Sequence, residues 1–198
     1  MADGRVLGGG VRISDPRVLR ALAHPARIEI VEYLNNTGAV VTATECAGLV
    51  GLSPSAVSYH LRELAKYGLV EQAPSRGDGR ERVWRSTGTG LMIDADPTEP
   101  GAVAASQALV ELYLSRDVER VREWLTRSHQ EPKAWQDASS VLIQRLLLTA
   151  EELTEVNRQV QALLEPYRMR LRQGDAPTGA RAVRANYMSF PEATEAEE

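Results

Sequence analysis

The chain has 198 residues, of which 43% are hydrophobic and 25% charged, with one cysteine and a formal net charge of -4. This length suits one medium domain or two small ones, the lone cysteine excludes an intramolecular disulfide framework, and no apolar run is long enough to span a membrane, so no membrane partner is expected. The acidity is uneven: residues 1–90 carry 11 Lys and Arg against 9 Asp and Glu, and residues 91–198 carry 12 against 18, giving +2 and -6. Overall acidity therefore argues little against a nucleic-acid partner for the first half.

In chain order, residues 1–13 are glycine-rich and read as a flexible N-terminus, with Arg5 and Arg12 as its cations. Its opening, MADGRVLGGG, lacks the apolar core of a signal peptide, and the expected location is the cytoplasm. Ser14-Asp15-Pro16 opens a first helix by a polar cap followed by proline, with Val18, Leu19 and Leu22 as its apolar face. His24-Pro25 breaks and restarts the chain, and Ala26 to Leu34 forms a second helix around Ile28, Ile30, Val31 and Leu34, ended by Asn35-Asn36-Thr37-Gly38. A short extended piece, Ala39 to Val41, follows.

Residues 42–68 then carry two short helices and a tight turn. Thr42 and Glu45 stand in capping-box register, so a helix opens at Ala43, and Gly51 stops it. Ser53 caps the next helix, with Pro54 at its first position. Two helices joined so closely meet at a steep angle, as in a helix-turn-helix, whose second helix usually enters a DNA major groove. On that second helix Val57, Leu61, Leu64 and Gly68 share one stripe, while Ser55, Ser58, Tyr59, Arg62 and Lys66 share the opposite one and Glu63 sits to the side. Any amphipathic helix has a polar outer face; the small serines at the N-terminus favour phosphate approach here. Leu69 to Gln72 and Glu81 to Ser86 then read as strands around Gly77-Asp78-Gly79, a hairpin placed as a wing. Arg76 and Arg80 lie at its tip, with Arg82 and Arg85 along one strand. Arginine suits a narrow minor groove or a bidentate phosphate contact, although the same residues also keep a solvated hairpin soluble.

The runs RVLRALAHPARIEIVEYL, LSPSAVSYHLRELAKYGLVEQ and GRERVWRST, in this order, resemble the winged-helix domain of the ArsR-like transcriptional regulators over about residues 14–87. The resemblance implies a homodimer that binds double-stranded DNA, with Ser55, Ser58, Tyr59, His60 and Arg62 at recognition-helix positions and Arg76, Arg80 and Arg82 in the wing. Ser53 and Lys66 complete the candidate DNA-binding set. For His60, near the core edge of its helix, a structural hydrogen bond and a phosphate contact are both open. Metal-sensing members carry a cysteine pair on the helix before the turn, or a His/Asp/Glu set on a terminal helix. Here the first place holds only Cys46, read as a buried small hydrophobe, and His24, His60 and His129 show no ligand spacing. No metal and no cofactor are expected.

Residues 86–100 are rich in Gly, Thr, Asp and Pro, and 91–100 read as a linker after a DNA-binding domain at 14–90. A long helix is expected from Gly101 to about Ser128, with Val103, Val110, Leu114, Val118, Val121, Trp124 and Leu125 as a stripe that one helix cannot bury alone; it can pack on the winged-helix domain or on its twin in a dimer, and the resemblance to the ArsR-like regulators favours the dimer. Residues 132–137 read as a loop, and 139–148 are ambiguous between strand and helix; Thr149 and Glu152 form a capping box that demands a fresh helix start, which favours the strand, and that helix reaches about Gln173, bent at Pro166. After a turn at 174–179, residues 180–190 read as a last strand and 191–198 as an acidic disordered tail. The expected fold class is α+β, mainly α: a winged helix-turn-helix followed, at 101–190, by a dimerisation or effector domain. Trp124, Trp135, Tyr113, Tyr167 and Tyr187 are candidates for core or for an effector pocket.

The expected function is a homodimeric transcriptional regulator acting on a palindromic operator; that it represses rather than activates is what the family resemblance implies. An enzyme is disfavoured, because the second half has no strand-GxGxxG-helix unit, P-loop, GxSxG elbow or HExxH. A protein-interaction winged helix is the alternative, but it has no need of a donor-only helix face beside an arginine-bearing wing.

Overall fold

Short polar signals set each helix boundary in the first half. In the computed structural model, which describes residues 5–6, 10–75 and 81–192, Asp15 caps α1 (Pro16–Leu22) by accepting from the Arg17 amide. His24 caps α2 (Pro25–Thr37) by accepting from the Ala26 amide. α2 runs past Leu34 to Thr37 and ends at Gly38 with φ 65°, where a Cβ would be strained. The capping box read at Thr42 is present at the start of α3 (Ala43–Val50): the Glu45 amide donates to Thr42 Oγ1 at 3.2 Å and the Thr42 amide to Glu45 Oε2 at 2.6 Å. Gly51 closes α3 at φ 64°. Ser53 then caps α4 (Pro54–Lys66) by accepting from the Ala56 amide at 3.3 Å. Thr42→Ala is expected to lower the free energy of unfolding by about 1 kcal/mol, read in urea with an unchanged slope; full stability would show that α3 needs no cap.

Two small sheets frame these helices. β3 (Val41–Thr42), β5 (Val83–Ser86) and β4 (Val70–Ala73) form an antiparallel sheet in that order, with Val70 opposite Ser86 and Gln72 opposite Trp84. The expected hairpin is therefore formed; its tip, with Arg76 and Arg80, lies outside the described residues. The second sheet departs from expectation. β1 (Arg5–Val6) runs antiparallel to β2 (Gly10–Ile13), and β2 runs parallel to β6 (Leu91–Ile93), with Val11 opposite Leu91 and Ile13 opposite Ile93. Residues 10–13 are thus a strand within the span read as flexible, and 91–93 a strand within the span read as a linker. Glycine-rich neighbours hid four alternating apolar residues whose pairing is non-local. Ile13 is buried, Val11, Leu91, Ile93 and Ala95 pack on the core, and Arg12 pairs with Asp94 across the sheet.

The core gathers Leu19 and Leu22 of α1, Ile28, Ile30, Val31 and Leu34 of α2, Cys46 of α3 and Val57, Leu61 and Leu64 of α4, closed by Val70 and Trp84. α5 (Ala102–Arg127) adds Ala105 and Leu109 to it, beside buried Ala102. Small residues let this helix approach α1 closely. Val103, Val110, Val118, Val121 and Leu125 of the predicted stripe point away and stay exposed. The chain divides into two units between Val141 and Leu142, so α5 belongs with the winged helix and not with a domain spanning 101–190.

The rest of the second half is less regular than expected. Residues 133–137 of the span read as a loop, with Ala138 after it, form α6 (Lys133–Ala138), with Pro132 just ahead of it and a Lys133–Asp137 pair one turn apart. Residues 139–148 form no strand: Ile143 is 89% and Leu147 100% exposed, and an extended segment without a partner has no ladder to hold it. The Thr149–Glu152 capping box does open α7 (Ala150–Leu164). That helix stops before Pro166, which lies in a 3-10 turn (Glu165–Tyr167), and α8 (Met169–Arg172) is separate, so the single bent helix is replaced by two. Residues 180–190 are likewise not a strand, although Ser189 Oγ donates to Asn157 Oδ1 at 2.7 Å. The second unit therefore contains no strand among the described residues and is not α+β; the chain as a whole is mainly helical with small sheets.

Candidate nucleic-acid interface

α4 has one closed face and one open face. Val57, Leu61 and Leu64 are fully buried. Ser53, Ser55, Tyr59, Arg62 and Lys66 are exposed and Ser58 half-buried, so the structure brings these six together on one side. Ser53 Oγ lies 3.0 Å from Ser55 Oγ while capping the helix. Arg62 Nε donates to the Ser58 carbonyl at 3.1 Å, which holds the guanidinium along the open face. Lys66 is paired with Glu63, which raises the ammonium pKa and lowers that of the carboxyl. Phosphate would have to compete with Glu63 for Lys66. The hydroxyls, phenol and guanidinium otherwise form a surface of hydrogen-bond donors.

In the wing, Arg82 is exposed. Arg85 is committed to its cross-strand partner Glu71, with Nε 2.7 Å from Oε1. Cys46 is buried, and burial with the Glu45 charge pushes its thiol up to about 11, so it stays protonated at neutral pH. Among the described residues no three His, Cys, Asp or Glu side chains gather as a metal site. Of the aromatic candidates, Tyr113 packs against the core and its phenol pKa is raised by burial, whereas Tyr167 and Tyr187 are exposed.

His60 does not share the open face. It is 8% exposed, and its Nδ1 accepts from Arg27 Nε at 3.4 Å. Its ring centre is 4.5 Å from that of His24, so two histidines that look unrelated in the chain are neighbours in the fold. Burial and then the charge of Arg27 lower the pKa of His24; burial, His24 and Arg27 lower that of His60. The unfolded chain protonates both in the ordinary histidine range, so their contribution to stability is present above that range and lost as pH falls through the lowered values. Sequence reasoning missed Arg27. Only its place after His24-Pro25 marks it, and its ring partner His60 is 33 residues away.

Comparisons with known proteins place their matches mainly in the first half of the chain. Residues 22–73 match the family model of a helix-turn-helix domain. Over 88 residues the chain is 35% identical to a Halobacterium salinarum protein described as arsenical resistance operon repressor ArsR, covering 43% of this chain and 66% of that one. The solved structure of NolR from Sinorhizobium fredii is 28% identical, covering 49% of this chain and 81% of that one, with a TM-score of 0.31. The transcriptional repressor BigR from Xylella fastidiosa is 23% identical over 50% of this chain and 81% of its own, also with a TM-score of 0.31. The fold and motifs define a winged helix-turn-helix protein. Within that class the first half of the chain is similar to ArsR-like regulators, and an additional C-terminal segment follows the matched residues. It spans slightly less than two thirds of the length of the curated relative it matches.

Proposed function

We propose that this protein is a sequence-specific DNA-binding transcriptional regulator, a repressor, that acts as a homodimer on a palindromic operator. The observation that carries this reading is the open face of α4, with Ser55, Ser58, Tyr59, Arg62 and Lys66 opposite a fully buried stripe and followed at once by a hairpin wing. Two such helices in a dimer meet successive major grooves roughly 34 Å apart, which is why the operator would be an inverted repeat. Arg62 is assigned to base readout, Ser53 and Ser55 to phosphate near the helix N-terminus, and Arg76, Arg80 and Arg82 to the wing contact. The exposed apolar stripe on α5 supports the dimer. The role is regulatory rather than enzymatic.

The test is selection of bound sequences from a random duplex pool with the full-length protein at a stated salt concentration. A palindromic consensus is expected; no binding even at low salt would sink the reading. On the selected duplex Arg62→Ala should cost about 1–3 kcal/mol and relax preference at one position of each half-site. An unchanged sequence preference would remove Arg62 from base readout.

A further inference from the structure

We infer that Arg27 is a positioning residue for DNA recognition, its guanidinium tying Tyr59 and His60 of α4 to the end of α1 and so fixing how Tyr59 is presented to the duplex. The inference rests on the reading of α4 as the DNA-contacting helix.

Arg27, on α2, reaches three partners on two other helices at once. From the start of α2 its Nη1 donates to the Ala21 carbonyl at 2.7 Å. That carbonyl lies in the last turn of α1, where in-helix donors run out. Its Nε donates to His60 Nδ1, and its Cζ lies 5.9 Å from the centre of the Tyr59 ring. A planar, delocalised fork can donate to two acceptors while keeping a cation near an aromatic ring; a lysine ammonium has no such fork. The Tyr59 ring in turn meets the His60 ring edge-on at 5.6 Å. His24 completes the group: its ring lies against His60 while its Nδ1 is occupied as the cap of α2.

Tyr59 is the large aromatic on the open face and is 51% exposed. A half-exposed side chain loses rotamer freedom when it binds, and holding it beforehand removes part of that cost. The acceptor on His60 is available only while the ring is neutral at Nδ1. The titratable groups around it are His24, Arg27 and Tyr59, with Glu63, itself near Arg27, Arg62 and Lys66, one turn on. Protonation of His60 would remove the acceptor and set a second positive charge beside Arg27.

The test uses the full-length protein, the duplex recovered by selection, and fluorescence anisotropy at fixed salt, with thermal unfolding recorded for every variant. Arg27→Gln is expected to weaken binding about tenfold in the wild-type background and no more than about twofold in a Tyr59→Ala background. Arg27→Lys should retain only a minor part of the lost affinity. If Arg27→Gln does not fold, Arg27→Lys carries the same cycle. As pH falls from about 7 to below the ordinary histidine range, where the lowered His60 protonates, the wild type should lose affinity relative to His60→Asn, whose side-chain oxygen can stand in for Nδ1 without titrating. Equal losses from Arg27→Gln or Arg27→Lys with and without the Tyr59 ring would overturn the proposal, as would identical pH profiles for the wild type and His60→Asn. If the wild type selects no sequence at all, the regulator reading fails first and this one with it.

Discussion

Leu61→Ala is expected to lower the free energy of unfolding by about 2–5 kcal/mol, a large part of the stability of a domain this size. Leu61 is completely buried on the inner face of α4, with Val57 and Leu64 on either side, and Leu19, Leu22 and Leu34 share the same core. Removing most of its side chain leaves a cavity that helices held at both ends by caps cannot close easily. The same helix carries the open face, so its seating and that face should loosen together. Chemical denaturation followed by tryptophan fluorescence is a direct readout, because Trp84 is buried in the same core. A loss below 1 kcal/mol would mean that α4 is seated by something other than this stripe.

Val110→Glu together with Val121→Glu should dissociate the proposed dimer, raising its dissociation constant at least about a hundredfold, because carboxylates would be placed in an apolar contact without partners. Both valines are exposed in the single chain, on the opposite side of α5 from Ala105 and Leu109. The fold of each protomer should therefore survive the change. Sedimentation equilibrium at micromolar protein separates the outcomes. A monomer from the variant and a dimer from the wild type is the expected pair, accompanied by loss of cooperative binding to the palindrome. A wild type that is already monomeric, or a variant that still dimerises, would remove α5 from the interface.

What was legible in the sequence was local chemistry. Both capping boxes, Thr42 with Glu45 and Thr149 with Glu152, form as their spacing requires, since all their partners lie within four residues. The buried stripe of α4 and the hairpin of β4 and β5 follow from periodicity and turn residues in the same way. What escaped was pairing across long separations. Arg12 and Asp94 are 82 residues apart, and nothing near either announces the other. The same ignorance misled in the opposite direction at residues 139–148 and 180–190, where β-branched and aromatic residues suggested strands that no neighbour completes. In the candidate site, the open face could be read from helical spacing alone. His60 could not be resolved that way, because its role depends on Arg27, a residue of another helix.

The parallel pairing of β2 with β6 sets where this protein can be cut. A fragment drawn around the recognisable motif, from 14 to 90, would discard β1, β2 and β6, removing a whole small sheet together with Ile13 and the residues that cover it. It would also strip Leu109 and Ala105 from the outer wall of the core. The smallest autonomous piece has to begin before Gly10 and continue well into α5. The wing and the open face of α4 belong to the other sheet and its helices, so the residues that such a cut removes lie in a different sheet from the candidate DNA-contacting surface.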